Sequence, residues 1–456
     1  MKKKRGEKEK VKNLGGEKKK MKTKTKIVAL LEIMVLLCSV LLVALPAIAA
    51  EQTMQKVSAN TVTTASKDDF VLDIYGNANE DDTIDMRDLT YVKLIFFGKK
   101  PETELADAKY DGKINPLDFI QIKLIIVGKE KEITIVDSAD RIVTVKEPVE
   151  RIIPLHMRHT GTVCVLGAGD NVVGVDKTVI ARERLFPKLS KLPCVGTVRA
   201  PEIEQILMLS PDLILTFTNF PSPELLEDKL PDTIPVIRFD LSRVDYLKQE
   251  MKALGYIVGM EEVNDYLEWY DEYVGTVKER VSGIPEEDKV RVFMERERVG
   301  GSEGVRWAYT SNTGYSDLCD VAGGINIAKD YIEYHGDVEV EWVLKQNPDV
   351  IIGLSYSGGY EADDPTGFER YYREIISLPG FENLRAVKNN RVHIISGDFS
   401  IGPQLPIGVV TVAKWLYPEK FSDLDTQKIH REFLTEFMRI DYDLDKWGVF
   451  IYPESS

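Results

Sequence analysis

The feature that most constrains this chain is a duplicated stretch, residues 202–215 and 339–352. In each copy, apolar residues at helical spacing lead through Pro-Asp into an aliphatic run, which predicts a helix, a turn and a buried parallel strand. Each copy also places a carboxylate, Glu204 or Glu341, on the polar side of its helix at the same offset before its proline. Because one helix–strand unit is used twice, the sequence predicts two equivalent lobes that each present one acid.

The rest of the chain fits this duplication. A predicted β-hairpin over residues 133–145 opens an alternation of strands and helices, which is typical of doubly wound α/β lobes. Between Val263 and Val281 apolar residues recur at alternating spacings of four and three, which predicts one long amphipathic helix between the lobes. The predicted domains are a signal or anchor (1–50), a flexible linker (51–67), a small all-α module (68–130), lobe 1 (131–245), linking helices (246–285) and lobe 2 (286–456).

The N-terminal sequence is typical of export. Residues 1–26 hold thirteen Lys or Arg and three Glu, and an apolar run from Ile27 to Ala50 follows that ends in small residues. This pattern predicts a secretory signal or an uncleaved membrane anchor, with everything after residue 50 outside the cell, secreted or held at its surface. The whole chain has a net charge of −15; residues 1–26 have +10 and Glu32 −1, so residues 51–456 have −24. Such an acidic chain argues against a nucleic-acid partner.

The module at 68–130 contains a repeat with a period of 30 residues. Two loops place oxygen-bearing side chains at the spacing with which proteins wrap Ca2+, although Lys109 interrupts the second loop and Asp82 stands where the first would need glycine. The alternative is a helical spacer with solvated acidic turns. The predicted calcium ligands are Asn77, Asn79, Asp81, Asp85 and Asp88 in the first loop, and Asp107, Asp111, Asn115 and Asp118 in the second. Paired loops of this kind resemble a dockerin module, which implies a cohesin-like partner.

The duplicated motif, Glu-x-Ile/Val-Leu-x-x-x-Pro-Asp, resembles that of the class III (cluster A) substrate-binding proteins of ABC importers, which receive ferric siderophores, haem and cobalamin. Further matching motifs lie at 135–145, 148–154, 165–175, 378–381 and 389–395, so the resemblance covers about residues 131–445. The resemblance implies that Glu204 and Glu341 pair with arginines on the two permease subunits, whose partner ATPase subunits hydrolyse ATP. It also implies a rigid helical spine between the lobes.

Ligand contacts are expected in loops beyond the carboxyl ends of the strands. A cationic cluster follows the first strand of lobe 1 at a predicted helix N-terminus, and arginine with aromatic residues recurs in lobe 2. The candidate ligand-binding residues are His156, Arg158, His159, Arg306, Trp307, Tyr309, Tyr356 and Tyr360. This set suits a bulky, partly apolar anion such as a metal chelate, while several members could equally be structural.

Other ligands and functions stay open. A smaller pocket of Arg, His and Tyr would hold a molybdate- or tungstate-type oxyanion. His156, His159 and His335 could bind a bare divalent metal ion, although the adjacent arginine opposes this. The chain lacks the sequence signatures of serine hydrolases, zinc proteases and phosphate-binding loops, so we predict no catalytic activity or catalytic cofactor. A surface scaffold component that acts through the dockerin-like module is the alternative of another class. The three cysteines after residue 50, Cys164, Cys194 and Cys319, are too few for a disulfide framework, although Cys164 could pair with Cys194.

Overall fold

The computed structural model describes residues 70–259, 261–298, 304–332 and 335–454. Residues Asp68–Ser456 form one compact unit. The predicted signal or anchor and the linker lie outside the described residues. Within the described ranges, no helix is both long and apolar enough to cross a membrane.

Helices and strands alternate along most of the chain. The helices are α1 (Met86–Phe96), α2 (Pro116–Ile126), α3 (Met157–Val165), α4 (Lys177–Ile180), α5 (Ile203–Leu209), α6 (Val244–Val258), α7 (Glu261–Tyr270), α8 (Thr276–Val281), α9 (Gly314–Val321), α10 (Val340–Gln346), α11 (Thr366–Ile376), α12 (Arg385–Lys388), α13 (Leu405–Leu416) and α14 (Thr426–Glu432). The strands are β1 (Glu132–Val136), β2 (Ile142–Lys146), β3 (Ile152–Pro154), β4 (Gly196–Thr197), β5 (Ala200–Pro201), β6 (Leu213–Thr216), β7 (Val236–Arg238), β8 (Arg291–Arg296), β9 (Val305–Tyr309), β10 (Ile325–Asn326), β11 (His335–Glu339), β12 (Val350–Ser355), β13 (Val392–Ser396) and β14 (Ile451–Tyr452).

The helical module consists of α1 and α2, each begun by one of the repeated loops. Asp85 and Asn115 are the N-caps, and each forms a reciprocal capping box with the acid three residues later. The module is fused both to the β1–β2 hairpin and to the helix α6: the backbone N–H of Tyr75 donates to the Thr134 carbonyl oxygen at 2.9 Å, and that of Ile84 donates to the Tyr256 hydroxyl at 2.8 Å. One continuous hydrophobic cluster extends from the module into both lobes.

Lobe 1 is built on the parallel sheet β3-β6-β7, preceded by the β1–β2 hairpin. The hairpin confirms the sequence prediction for residues 133–145. Residues 172–175 contribute two isolated bridges, Ile152 with Val172 and Val175 with Cys194. All three described cysteines are free, so Cys164 and Cys194 form no disulfide.

A helical spine joins the lobes. Helix α6 ends at Gly259, whose φ of 134° few other residues adopt, and α7 continues through a π-helical turn at Asp271–Gly275 into α8. The predicted long helix is therefore confirmed, with one π-helical turn inside it. Lobe 2 then forms a seven-stranded sheet in the order β11-β9-β8-β12-β13-β14, with β10 beside β8. Its centre, β8-β12-β13, is parallel, so both lobes have the predicted α/β architecture.

The duplicated units, α5–β6 and α10–β12, have matching local geometry. Each helix ends in a left-handed residue, Ser210 at φ 45° and Asn347 at φ 47°. In the first unit, Asp212 donates its backbone N–H to the carbonyl oxygen of Arg151 at 2.8 Å. In the second unit, Asp349 donates its backbone N–H to the carbonyl oxygen of Arg291, also at 2.8 Å. The repetition in sequence is thus a repetition in structure.

Candidate ligand site between the lobes

Lobe 1 contributes a polar helix N-terminus to the cleft between the lobes. His156 is the N-cap of α3, and its Nδ1 accepts a hydrogen bond from the Arg158 backbone N–H at 3.2 Å. Both side chains lie against Phe217, which follows β6; the His156 ring centroid is 5.0 Å away and the Arg158 guanidinium 5.8 Å. Burial, followed by the charge of Arg158, holds the pKa of His156 well below its usual value. The imidazole is therefore neutral, and its Nε2 carries the proton that a ligand oxygen would accept.

Lobe 2 contributes hydroxyl groups and a second guanidinium. The Tyr315 hydroxyl, on α9, lies 3.2 Å from that of Tyr356, which follows β12. Arg296, at the end of β8, lies 5.4 Å over the Tyr356 ring. Burial raises the pKa of Tyr309, while Arg296 and Arg158 both oppose the rise. Guanidinium groups from opposite lobes therefore act on one hydroxyl, which stays protonated and able to donate.

The charge of this cluster is positive. Within the described ranges, neither Arg158 nor Arg296 has a carboxylate at ion-pair distance. Arg182 also reaches the cleft, but Asp398 neutralises it. Two unpaired guanidinium groups, three tyrosine hydroxyls, a neutral imidazole and a helix N-terminus together favour an anion.

The lobes are held together by ion pairs around this cluster. Arg182 of lobe 1 binds Asp398 of lobe 2 through two hydrogen bonds of 2.8 and 2.7 Å. On the side of the spine, Arg243 binds Asp317 at 2.6 Å. At the rim, Arg184 pairs with Asp363 at 2.7 Å. The structure is therefore a closed form of the two lobes.

A cavity of about 620 Å³ opens beside the cluster on lobe 2. It lies beyond the carboxyl ends of β8 and β12, and Arg296 and Tyr356 belong both to the cluster and to its wall. Arg298, Trp307, Ser357 and Arg370 also line it. The Trp307 indole N–H is buried and has no hydrogen-bond partner among the described residues. Glu297 also lines the cavity and pairs with Arg370, and Arg298 pairs with Asp337, so the cavity offers an aromatic surface of mixed charge on which Arg296 is the arginine without a carboxylate partner in the described ranges.

Three of the predicted ligand residues lie elsewhere. His159 is fully buried; its Nε2 lies 2.8 Å from the Phe239 carbonyl oxygen, and burial lowers its pKa to about 4. Tyr360 is fully buried, with its hydroxyl 2.8 Å from His430.

Arg306 is bound at 2.7 Å to the buried Glu295 and at 2.6 Å to Glu374. These three residues stabilise the core and do not face the cleft. His156, Arg158, Trp307, Tyr309 and Tyr356 do lie at the cluster or its cavity. Sequence reasoning missed Arg182, Arg296 and Tyr315, although Arg296 ends a predicted strand, where a ligand residue is expected.

The histidines do not form a metal site. His159 is in the core of lobe 1, and His335 is exposed on β11, 5.0 Å from the Trp307 ring. Within the described part of the chain, no group of three or more His, Cys, Asp or Glu could hold a metal ion. The bare-metal alternative therefore has no support from this geometry.

The calcium loops have the predicted turns, with one change. Both loops have a left-handed residue at the fourth position, Glu80 at φ 55° and Tyr110 at φ 49°; Gly112 of the second loop is also left-handed, at φ 79°, whereas Asp82 at the equivalent place in the first loop is not. Arg87 forms ion pairs of 2.9 Å with both Asp81 and Asp85, and the buried Asp88 accepts two backbone hydrogen bonds. In the second loop, Asp107 and Asp118 likewise accept backbone N–H groups. As arranged, these side chains do not fit a calcium ion, and calcium binding stays a prediction.

The two acids of the duplicated motif occupy equivalent places. Glu204 and Glu341 are exposed in the first turns of α5 and α10. Neither forms an ion pair with another described residue. Each lobe therefore presents an unpaired carboxylate at the equivalent position on its surface.

Two α/β lobes, a helical spine and a polar cleft define a solute-binding protein. The sequence profile of the family described as Periplasmic binding protein matches residues 152–398, more than half of the chain. The chain belongs to this family and is a substrate-binding protein of an ABC importer. The helical module precedes the matched region, so its likeness to a dockerin stays a prediction.

Similar proteins differ in their named ligands. The chain is 26% identical over 342 residues to the Molybdate-binding protein MolA of Haemophilus influenzae, an alignment that covers 68% of this chain and 92% of that protein. It is 26% identical over 206 residues to the Vitamin B12-binding protein of Yersinia pestis, covering 44% of this chain and 69% of that protein.

Solved structures agree on the fold. MolA bound to molybdate superimposes with a TM-score of 0.56 at 22% identity, covering 68% of this chain and 99% of that chain. The TroA-like binding protein FepB of Veillonella parvula superimposes with a TM-score of 0.57 at 24% identity, covering 70% and 98%.

Proposed function

We propose that the cargo of this receptor is an oxyanion of the molybdate or tungstate type, bound between the lobes. The observation that carries this proposal is the pair Arg158 and Arg296, which come from opposite lobes, lack carboxylate partners and both act on the hydroxyl of Tyr309. A compact dianion placed there would neutralise both charges. It would also join the two lobes through a single ion.

The hydrogen-bond donors of the cluster suit such an ion. Tyrosine hydroxyls of lobe 2 and the neutral His156 of lobe 1 can donate to oxygens that point in several directions. The N-terminus of α3 adds backbone N–H groups and a favourable dipole. The similarity to a molybdate-binding protein over 92% of its length supports the same ligand class.

A metal chelate of the ferric siderophore, corrinoid or haem type is the second candidate. The observation in its favour is the neighbouring cavity of about 620 Å³, which lies within the usual range for organic ligands of about 300–1,000 Å³. Trp307 and Tyr356 would stack on such a ligand, and Arg296 would bind its negative charge. The two candidates therefore share Arg296 and differ in their need for Trp307.

Titration calorimetry with molybdate, tungstate, sulfate, a ferric hydroxamate, cobalamin and haem tests the proposal. Loss of one guanidinium that bonds a buried anion should cost about 1.5–3 kcal/mol, or roughly 10- to 150-fold in affinity. We expect that loss for Arg158→Gln and Arg296→Gln with molybdate, and none for the control Arg184→Gln at the rim. If the protein binds a chelate in a way that requires Trp307 and does not bind an oxyanion, the cargo is a metal chelate and the oxyanion proposal is wrong.

Delivery to the permease would use the duplicated acids. Glu204 and Glu341 are exposed, unpaired and equivalent, as contacts with two permease subunits require. Rim charges of this kind fix register and partner choice more than affinity. The double variant Glu204→Arg/Glu341→Arg should abolish stimulation of the transporter ATPase and leave ligand titration unchanged. Stimulation that survives in the double variant would contradict this role.

A further inference from the structure

The helical module exposes an apolar surface that nothing in the described chain covers. On α2, Leu117, Ile120 and Val127 lie on one side of the helix and are 55, 40 and 52% exposed. Phe97, which caps the C-terminus of α1, is 71% exposed, and Met86 at its start is 55% exposed. Large apolar side chains scattered singly over a surface are ordinary, whereas a contiguous group indicates an interaction site.

The two helices present these residues on adjacent surfaces. The Lys93 ammonium of α1 lies 5.1 Å over the Phe119 ring of α2, so the outer sides of the helices meet. Helix α2 is apolar on nearly all sides (Pro116-Leu-Asp-Phe-Ile-Gln-Ile-Lys-Leu-Ile-Ile), although only its inner side contacts the core. A helix that is apolar all round normally requires a second partner.

The charges on these helices are opposite to those of the rest of the protein. Residues 86–100 and 116–131 hold seven Lys or Arg and three acids. Asp88 and Asp118 are fully buried and Glu130 is half-buried, so the fully exposed charges on these two segments are positive, although Arg87 is paired with Asp81 and Asp85 of the preceding loop. Residues 51–456 as a whole have a net charge of −24, from −15 for the whole chain, +10 for residues 1–26 and −1 for Glu32. We name the surface of Met86, Phe97, Leu117, Ile120 and Val127, with Lys99, Lys100, Lys123 and Lys129 around it, the basic–apolar face.

We propose that the basic–apolar face rests on an anionic lipid bilayer. Aliphatic and aromatic side chains surrounded by lysines are the composition with which proteins lie on anionic membrane surfaces. The module begins about 20 residues after the end of the apolar run Ile27–Ala50. The module is thus the described part of the chain that is closest in sequence to a predicted membrane segment.

Such contact would act as a second, weak anchor. One membrane signal alone gives reversible binding, and a second one makes the attachment stable. A linker also raises the effective concentration of the face at the bilayer, so a weak contact suffices. If the N-terminal segment is cleaved, the basic–apolar face alone would hold the receptor at the membrane only reversibly.

Vesicle co-sedimentation tests the proposal with a chain that begins at Asp68, the start of the compact unit. We would compare vesicles of equal parts phosphatidylglycerol and phosphatidylcholine with vesicles of phosphatidylcholine alone. We expect at least tenfold stronger binding to the anionic vesicles and its loss at high salt, since each lysine near the surface contributes roughly fivefold. Ile120→Gln/Val127→Gln and Lys99→Glu/Lys100→Glu should each weaken binding at least tenfold.

The matched control is Ile142→Gln/Leu225→Gln, which replaces two apolar residues of lobe 1 with similar exposure, 42 and 43%. It should bind like the original chain. All variants change exposed side chains, so equal melting temperatures would show that they fold. Equal binding to both vesicle types, no binding, or equal loss in the control would overturn the proposal. So would a protein partner or self-association that needs the same residues while vesicle binding does not.

Discussion

The ion pair between Arg182 and Asp398 is the strongest test of how the lobes are held. Its side chains are only 15 and 6% exposed, and two short hydrogen bonds join them across the cleft. Removing one partner of a buried pair typically costs about 3–5 kcal/mol, because the other charge is left uncompensated. In Asp398→Asn the amide oxygen keeps one of the two bonds, so we expect about 2–3 kcal/mol.

Most of this cost falls on the closed form, because in an open form water solvates Arg182. A shift of about 2 kcal/mol changes the ratio of closed to open protein roughly 30-fold. Small-angle X-ray scattering of the ligand-free protein should therefore show a larger radius of gyration for Asp398→Asn. The rate of ligand association should rise in the same variant.

Asp363→Asn is the matched control. Its pair with Arg184 also joins the lobes, but Asp363 is 64% exposed, and exposed pairs contribute at most about 1 kcal/mol. We expect little change in scattering or association rate for this variant. If both variants scatter like the original protein, the buried pair does not hold the lobes, and the reasoning from burial is refuted.

Three further predictions concern residues outside the cleft. His159 has a pKa of about 4 in the folded state and 6.5 as the reference value, so the unfolded chain takes up a proton first as the pH falls. Stability should then decrease between pH 6.5 and 4, by up to roughly 3 kcal/mol from this residue, and urea unfolding of His159→Gln should show a smaller decrease; an unchanged slope would contradict the burial of a neutral ring. Arg306→Met should lower the free energy of unfolding by about 3–5 kcal/mol, because the buried Glu295 would lose its counter-charge and keep only the hydrogen bond from the Tyr371 hydroxyl, and it should leave ligand affinity unchanged; a loss of affinity would restore Arg306 to the site. Arg87→Ala frees Asp81 and Asp85, so added Ca2+ should raise its melting temperature more than that of the original chain, and the absence of a shift in both proteins would show that the calcium prediction is wrong.

The duplicated unit and the spine could be predicted because their signals are local. The signals for the duplicated unit are helical spacing, Pro-Asp and an aliphatic run, which together occupy about 15 residues. Tertiary contacts therefore do not determine which secondary structure forms there. Arg158 could also be placed, since it lies at the first turn after a strand, where ligands are bound in such folds.

The predicted ligand residues that lie outside the cleft are explained by the direction of side chains along a strand and by the packing of a helix on the sheet. Successive residues of β9 point to opposite sides of the sheet, so Arg306 cannot share a surface with Trp307 and Tyr309; strand alternation alone would have excluded it. His159 lies one helical turn after His156, on the side of α3 that packs on Phe217 and Phe239. The packing of α3 on the sheet determines which side of this helix is buried. The sequence around the two histidines does not show which side that is.

The repeated geometry at Ser210 and Asn347 has a consequence for delivery. If Glu204 and Glu341 contact the permease as proposed, a receptor that presents the same helix and acid from both lobes can dock on a two-fold symmetric transporter in two orientations related by half a turn. The cleft has no such symmetry, because each lobe supplies an arginine, Arg158 or Arg296, but His156 and the helix N-terminus lie on one side and the tyrosines on the other. A large asymmetric cargo would therefore reach the channel in two different poses, whereas a tetrahedral ion arrives in equivalent poses from either docking. For an oxyanion, both docking orientations would therefore present the cargo to the transporter in the same way.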